Sequence, residues 1–274
     1  MRTTVGFSGS GASRRALRWA VQDCAATAHP LHVVLASGAA AGPGELDALL
    51  AEELSRVPGR EPEVDVTVTT GDPASALLRA AADSAELVLG CGRKVAPIGP
   101  GTGKVLSVVL PRSPAAVVLV GPQAVLTAPR RLLIVSSTDA AVSEWALERG
   151  GDLPLRLLTT WQARSIATRP SDVERRRAHL VAAGRHQAVR AVLSAATARP
   201  VRADVTEGSV GEVVPQRLTV GDLVVVAAAS VRAMPIRTLR SPVVLVPSSE
   251  RRVELPAPDV VDLRDDVRQG LQRS

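Results

Sequence analysis

With 274 residues the chain is long enough for two domains at about 150 residues each, and its 46% hydrophobic and 22% charged residues are those of a folded protein rather than a disordered one. Three Trp, one Phe and no Tyr are too few rings to stack on single-stranded nucleic acid. The net charge of +6 falls entirely in the second part: residues 1–128 hold 11 basic and 11 acidic side chains, residues 129–274 hold 22 and 16.

Two cysteines, Cys24 and Cys91, with no CxxC, exclude a disulfide framework and a zinc knuckle. The opening MRTTVGFSGSG lacks an apolar core of signal-peptide length, and no run approaches 18 apolar residues. The expected location is cytoplasmic, without a membrane span. All basic residues except Lys94 and Lys104 are Arg, which reads as a composition effect as much as a binding signal.

In chain order, TTVGF (3–7) reads as a strand ending in the turn Ser8-Gly9-Ser10-Gly11. Ala16, Leu17, Ala20, Val21 and Cys24 then recur at helical spacing, opposite Arg14, Arg15, Arg18 and Gln22. LHVVLAS (31–37) is a buried strand, and Leu46, Leu49, Leu50 and Leu54 mark a second helix. VDVTVTT (64–70) is β-rich, and Gly71-Asp72-Pro73 opens a helix, with Asp72 as cap and Pro73 in the first turn. ELVLG (86–90) and AAVVLV (115–120) are two more strands, separated by a glycine-rich segment. Continuous apolar runs alternating with helices predict a parallel sheet covered on both faces.

The second half repeats this order. RLLIVSS (131–137) is a strand and Ala140 to Leu147 a helix; LRLLTTW (155–161) matches LHVVLAS, and a long helix runs from Ser171 to Ala196. VRADVTEGSVGEVV (201–214), DLVVVAA (222–228) and SPVVLV (241–246) match the third, fourth and fifth strand segments of the first half. This predicts an internal duplication with a boundary near Thr127-Ala128-Pro129. Residues 251–274 are a charged tail, with a short helix over 258–272.

Val5-Gly6-Phe7-Ser8-Gly9-Ser10 with Ser13-Arg14-Arg15-Ala16-Leu17-Arg18-Trp19-Ala20, then GDPASALLRAA, ELVLGCG and PRSPAAVVLV, resemble a universal stress protein (UspA-type) domain. The resemblance covers most of residues 3–121 and, more weakly, 131–247. It implies an α/β fold of two tandem open five-stranded parallel sheets with helices on both faces, packed as a pseudo-dimer. The domains would be 1–126, with a degenerate nucleotide cleft, and 127–250, without a phosphate loop. The family's dimers form through the last strand of each sheet, which points to AAVVLV and SPVVLV as the pairing edges; an apolar edge left open invites aggregation.

Nucleotide-binding members of the family carry G-x-x-G, nine residues, then G-[S/T], where backbone amides and a helix start face phosphate. Here those positions are Gly90, Arg93, Gly103 and Lys104, so the second Gly and the final hydroxyl are replaced by cations. The family's acidic residue after the first strand falls at Ser8, and its backbone contact to adenine at Ala36. The expected cofactor is none, or ATP held weakly in the first domain. In the second half the corresponding stretch, AAASVRAMPIRTLR, is about ten residues shorter and has no glycine, so it builds no phosphate cradle of this kind.

Other chemistry is poorly supported. Gly99 to Lys104 resembles a P-loop, but Ile98 and Val105 stand where Gly and Ser/Thr are required. His179 and His186 are seven residues apart without a third ligand and read as exposed helix histidines. No G-x-S-x-G elbow or spaced Ser/His/Asp set is present, and Cys91 reads as a plain buried thiol. Eight Arg against Asp172 and Glu174 between Gln162 and Pro200 form a basic face, solvated or turned to an anionic partner. The function expected from the resemblance is non-catalytic stress-related regulation through binding of other proteins, whose identity the sequence does not give, with a homodimer as a further assembly. The alternatives are an ATP sensor or weak ATPase using the first-domain cleft, and a basic scaffold for nucleic acid.

Overall fold

The computed structural model describes residues 1–36, 43–57, 59–69, 71–92, 104–137, 139–163 and 170–248. The first half holds β1 (Thr3–Phe7), α1 (Gly11–Thr27), β2 (Leu31–Ala36), α2 (Pro43–Leu54), β3 (Val64–Thr69), α3 (Pro73–Ala82), β4 (Glu86–Gly90), α4 (Lys104–Val109) and β5 (Ala116–Val120). The second holds β6 (Arg131–Val135), α5 (Ala140–Gly150), β7 (Leu155–Trp161), α6 (Asp172–Ala196), β8 (Val201–Glu207), α7 (Val210–Arg217), β9 (Asp222–Ala227) and β10 (Val243–Val246). A 3₁₀ segment, Ala228–Ala233, follows β9.

The helix starts follow from their caps. The Ser75 amide donates to Asp72 at 2.9 Å, ahead of Pro73. Ser171 and Glu174 form a full capping box on α6, and Ser209 and Glu212 do the same for α7. Each cap satisfies amides that the first helical turn leaves without a carbonyl.

The ten strands form one continuous sheet in the order β3-β2-β1-β4-β5-β10-β9-β6-β7-β8. Within each half all neighbours are parallel. The seam is antiparallel: Val117, Val118 and Leu119 of β5 lie opposite Leu245, Val244 and Val243 of β10. Every residue of β5 and β10 is buried. The carboxyl ends of the two halves' strands therefore lie at opposite edges of the sheet.

Two apolar layers flank the sheet, and each contains residues of both halves. One packs α1, α2, α5 and α6 against it and includes Trp19, Val118, Ala146 and Val244. The other includes Leu77, Val109, Val213 and Met234. Cover is incomplete at the ends of the sheet: β3 is mostly exposed, with Val66 and Val68 open to solvent, and β8 is only half-buried. Both faces of the sheet are covered as expected, and the cover thins only at these two edge strands.

Candidate functional site

The site predicted from sequence lies at the carboxyl end of the first-half strands, the usual ligand position in open α/β sheets. After β1 the chain turns at Gly9, whose φ of +73° suits glycine. Ser10 caps α1 by accepting from the Ser13 amide at 3.2 Å, and the Ser8 amide donates to Ser13 Oγ at 3.2 Å. The hydroxyls of Ser8, Ser10 and Ser13 lie 3.1–3.3 Å from one another, so they satisfy each other.

These serines form one wall of a crevice of about 130 Å³, whose floor is Phe7, Val34, Leu77, Leu89 and Leu106. Among the described residues that line it there is no charged side chain and no histidine. Gly90 closes the end of β4. A Cβ placed there would stand 2.1 Å from the Ala12 carbonyl oxygen, so only glycine lets the first turn of α1 cross this strand end. Gly90 is needed for packing here, a role separate from any approach to phosphate.

The predicted residues meet only in part. Ser8 and Gly90 line the crevice together. Ala36 ends β2 at the same edge of the sheet. Lys104 is the first residue of α4 and is exposed; the next two residues, Val105 and Leu106, reach the crevice in its place. Arg93 and Gly103 lie outside the described residues, as does the tail 251–274.

In the second half, the 3₁₀ segment and the buried Met234, Ile236 and Leu239 fill the space after β9. The Ile236 carbonyl would sit 2.4 Å from a Cβ on Gly121, so this stretch also packs against the end of β5. A wide, open depression at the ends of β7 and β8 is bordered by Gln162, Ser171, Arg175 and Glu207. Arg175 is already paired with Glu207 at 2.7 Å.

The reading of one histidine changes, and those of His179 and Cys91 stand. His186 is buried and lies 3.0 Å from Thr159 Oγ1, and burial lowers its pKa; it is a core histidine, because it falls on the inward stripe of α6 with Ala182 and Leu193. His179 is exposed and meets Trp161 edge-on at 5.3 Å. Cys24 and Cys91 are buried, and burial pushes both thiols up to about 12, which makes them unreactive. Among the described residues no group of three or more His, Cys, Asp or Glu is placed to hold a metal, and no helix is long and apolar enough to cross a membrane.

Sequence reasoning missed a buried ionic cluster between the halves. Arg149, at the end of α5, pairs with both Asp23 of α1 and Glu86 at the start of β4. All three side chains are sealed from solvent, and Asp23 Oδ1 and Glu86 Oε2 have no hydrogen-bond partner. Burial raises both carboxyls against the pull of Arg149, Glu86 to about 7. Burial alone would lower the Arg149 pKa, but Glu86 and Asp23 together raise it. The second half handles the matching position differently: Asp222 opens β9 and pairs at 2.6 Å with Arg131, its neighbour in register on β6. In the first half the register neighbour of Glu86 is Thr3, so its cation comes from the other half. The available signal was an acid within each of two otherwise apolar patterns, Asp23 beside Cys24 and Glu86 before LVLG.

No protein-family model matches the chain, and a search of curated proteins finds no match. Solved structures do match. A universal stress protein from Archaeoglobus fulgidus DSM 4304 superposes with a TM-score of 0.60 at 14% identity, covering 90% of this chain and 96% of that one. A protein of unknown function from Pseudomonas aeruginosa PAO1 gives 0.53 at 12% identity, covering 91% and 94%. The cytoplasmic domain of a prokaryotic cation chloride cotransporter gives 0.50 at 9% identity, covering 89% and 94%. The chain thus has the fold of the universal stress proteins, a mixed α/β fold on a mostly parallel sheet.

Proposed function

We propose that the protein is a non-catalytic module of UspA type that acts in stress-related regulation by binding other proteins. On this reading residues 1–126 and 127–250 are two UspA-like domains joined as an internal pseudo-dimer. The first-half crevice carries the argument. Among the described residues, its lining offers no charged side chain to hold a phosphate. Its floor is apolar, its serine hydroxyls are engaged with one another, and among the described residues that line it no base stands beside them to activate a nucleophile. Fold likeness alone leaves function open, since the same fold occurs in the cytoplasmic domain of a cotransporter.

A second reading is a nucleotide sensor that uses this crevice. The observations that favour it are the position at the carboxyl ends of β1 and β4 and a lysine at the start of α4. Titration calorimetry with ATP, with and without magnesium, separates the two. We expect no binding tighter than about 1 μM, or roughly −8 kcal/mol. Tighter binding that weakens on Lys104→Ala would refute the first reading and establish the second.

A further inference from the structure

Strand β3 is the bare end of the sheet. Among the described elements only β2 packs closely on it, and its Val66 and Val68 are 38% and 54% exposed. The Leu31 amide donates to the Glu63 carbonyl at 2.8 Å, which fixes the alternation of this parallel ladder. Glu63, Asp65, Thr67 and Thr69 turn their backbone groups to β2, whereas Val64, Val66 and Val68 turn theirs to the open side. The three valines also share one face of the strand. Asp65 and Thr67 lie on the other, where Asp65 meets Arg2 at 3.2 Å and Thr67 Oγ1 lies 2.9 Å from His32 Nε2.

Proteins usually blunt an edge strand with lysine, proline, a bulge or an overlying element. VDVTVT contains neither lysine nor proline, pairs with β2 without a bulge, and carries a single charge, Asp65. The opposite edge, β8, is guarded: α6 lies against it, Val201 and Ala203 are partly buried, and Arg202, Asp204 and Glu207 are charged. An open edge like β3 fits another strand, and the pattern of VDVTVT selects which one.

We propose that two copies of this chain pair through β3, antiparallel about a two-fold axis at Val66. In that register Val66 faces Val66, and each Val64 faces a Val68 of the other copy, so the open N–H and C=O groups of all three valines find partners. On the opposite face each Asp65 stands across from Thr67, and each Glu63 across from Thr69. No charge directly faces its like. The two Asp65 are diagonal neighbours, each held by its own Arg2. Beyond the strand ends, Arg60 and Glu61, one of each sign, approach the Gly71-Asp72 turn of the other copy. The register is unique. Sliding one strand by two residues one way sets Asp65 against Asp65, and the other way leaves Val64 without a valine opposite. A slide of one residue sets the open backbone groups against closed ones. A two-fold pairing also closes on itself, whereas β3 against the β8 of a next copy would run on as a filament. With no helix laid along β3, the new ladder is free to take the strong twist of a two-stranded ribbon.

The test is sedimentation velocity of the full chain from about 1 to about 300 μM, with variants of these exposed residues. One strand pair makes a small interface, so we expect a weak, reversible dimer. Val66→Lys sets cation against cation on the axis and should raise the dissociation constant by about tenfold or more. Val66→Cys should form an intersubunit disulfide under mild oxidation about tenfold faster than Val68→Cys, with Cys24 and Cys91 buried. Across the axis the two residues 66 have Cα atoms about 5.5 Å apart, within disulfide reach, while the two residues 68 are offset by about 14 Å along the strands. A chain still monomeric at about 300 μM would overturn the proposal and leave the edge to a strand from a different protein. So would a dimer that Val66→Lys leaves unchanged, which assigns the interface to another surface. Equal cross-linking at 66 and 68 would overturn it as well, by denying the register. If Val66→Lys fails to fold, the two cysteine variants decide by themselves.

Discussion

Replacing Arg149 with Met keeps most of the apolar stem and removes the charge that Asp23 and Glu86 share. Both carboxyls then stay sealed, at 0% and 1% side-chain exposure, with no cation. Removing one partner of a buried ion pair costs about 3–5 kcal/mol. That range agrees with the chemistry available: holding one further carboxyl protonated at pH 7.5, against an unfolded pKa near 4.2, costs about 4.5 kcal/mol. The sign follows from the raised pKa values. Between the unfolded and folded pKa the folded chain binds a proton that the unfolded chain lacks, so stability falls as pH rises. In the parent this loss runs from about 4.5 to about 7 through Glu86. Asp23, also raised in the parent, adds to it; in the variant both carboxyls lose the cation that favours their charged forms, so the loss deepens and continues above 7. The gap between variant and parent should therefore shrink to about 1 kcal/mol near pH 5 and open to about 4.5 near pH 7.5. Urea unfolding at both pH values, followed by fluorescence of the fully buried Trp19, measures it. Adding Glu86→Gln to Arg149→Met should recover part of the loss at pH 7.5. A gap below about 1 kcal/mol at pH 7.5, or an equal gap at both pH values, would refute the reasoning.

Val118 and Val244 face each other across the seam and are fully buried, so Val118→Asp or Val244→Asp buries an unpaired charge. We expect either variant to aggregate or to melt at least about 10 °C lower, while the exposed Arg176→Ala stays within a degree or two; thermal melts of the Asp variants that match the parent would show that the seam does not hold the halves together. Gly90→Ala drives a methyl into the Ala12 carbonyl and should cost about 2–4 kcal/mol, whereas Gly11→Ala, in open space on the same helix, should be neutral or raise stability by up to about 1 kcal/mol. Paired denaturant melts compare the two, and equal effects would mean that α1 does not rest on the end of β4.

Much of this architecture was legible because parallel strands read as unbroken apolar runs. DLVVVA and AVVLV are buried throughout and ELVLG in all but its last residue, and the caps at Asp72 and Ser171 act through short-range contacts that sequence encodes directly. The site was legible only in outline. Local spacing placed Ser8 and Gly90 at one edge of the sheet, yet it could not show that a Cβ on Gly90 would strike α1, or that Val105 and Leu106 rather than Lys104 reach the crevice. The Arg149 cluster was invisible for a different reason. Its members are separated by 63 and 126 positions, and only the tertiary packing brings them together. His186 was misread because one helical position decides between core and solvent, and the alanine-rich α6 sequence marks its inward stripe only weakly.

The pairing of Arg131 with Asp222, against that of Arg149 with Glu86, bears on the order in which the molecule is made. The first half leaves the ribosome first, and domains generally begin to fold in that order, at about 5–20 residues per second of synthesis. The carboxyls of Asp23 and Glu86 nonetheless have no cation to bury against until Arg149 has also emerged, well into the second half. During that interval the nascent first half gains by keeping the base of β4 and the inward side of α1 wet. Its final consolidation is thereby tied to the arrival of its neighbour. The second half carries its own cation for Asp222 on an adjacent strand and has no such wait. A chain built this way is protected against completing one half alone, because the missing charge leaves that half unfinished.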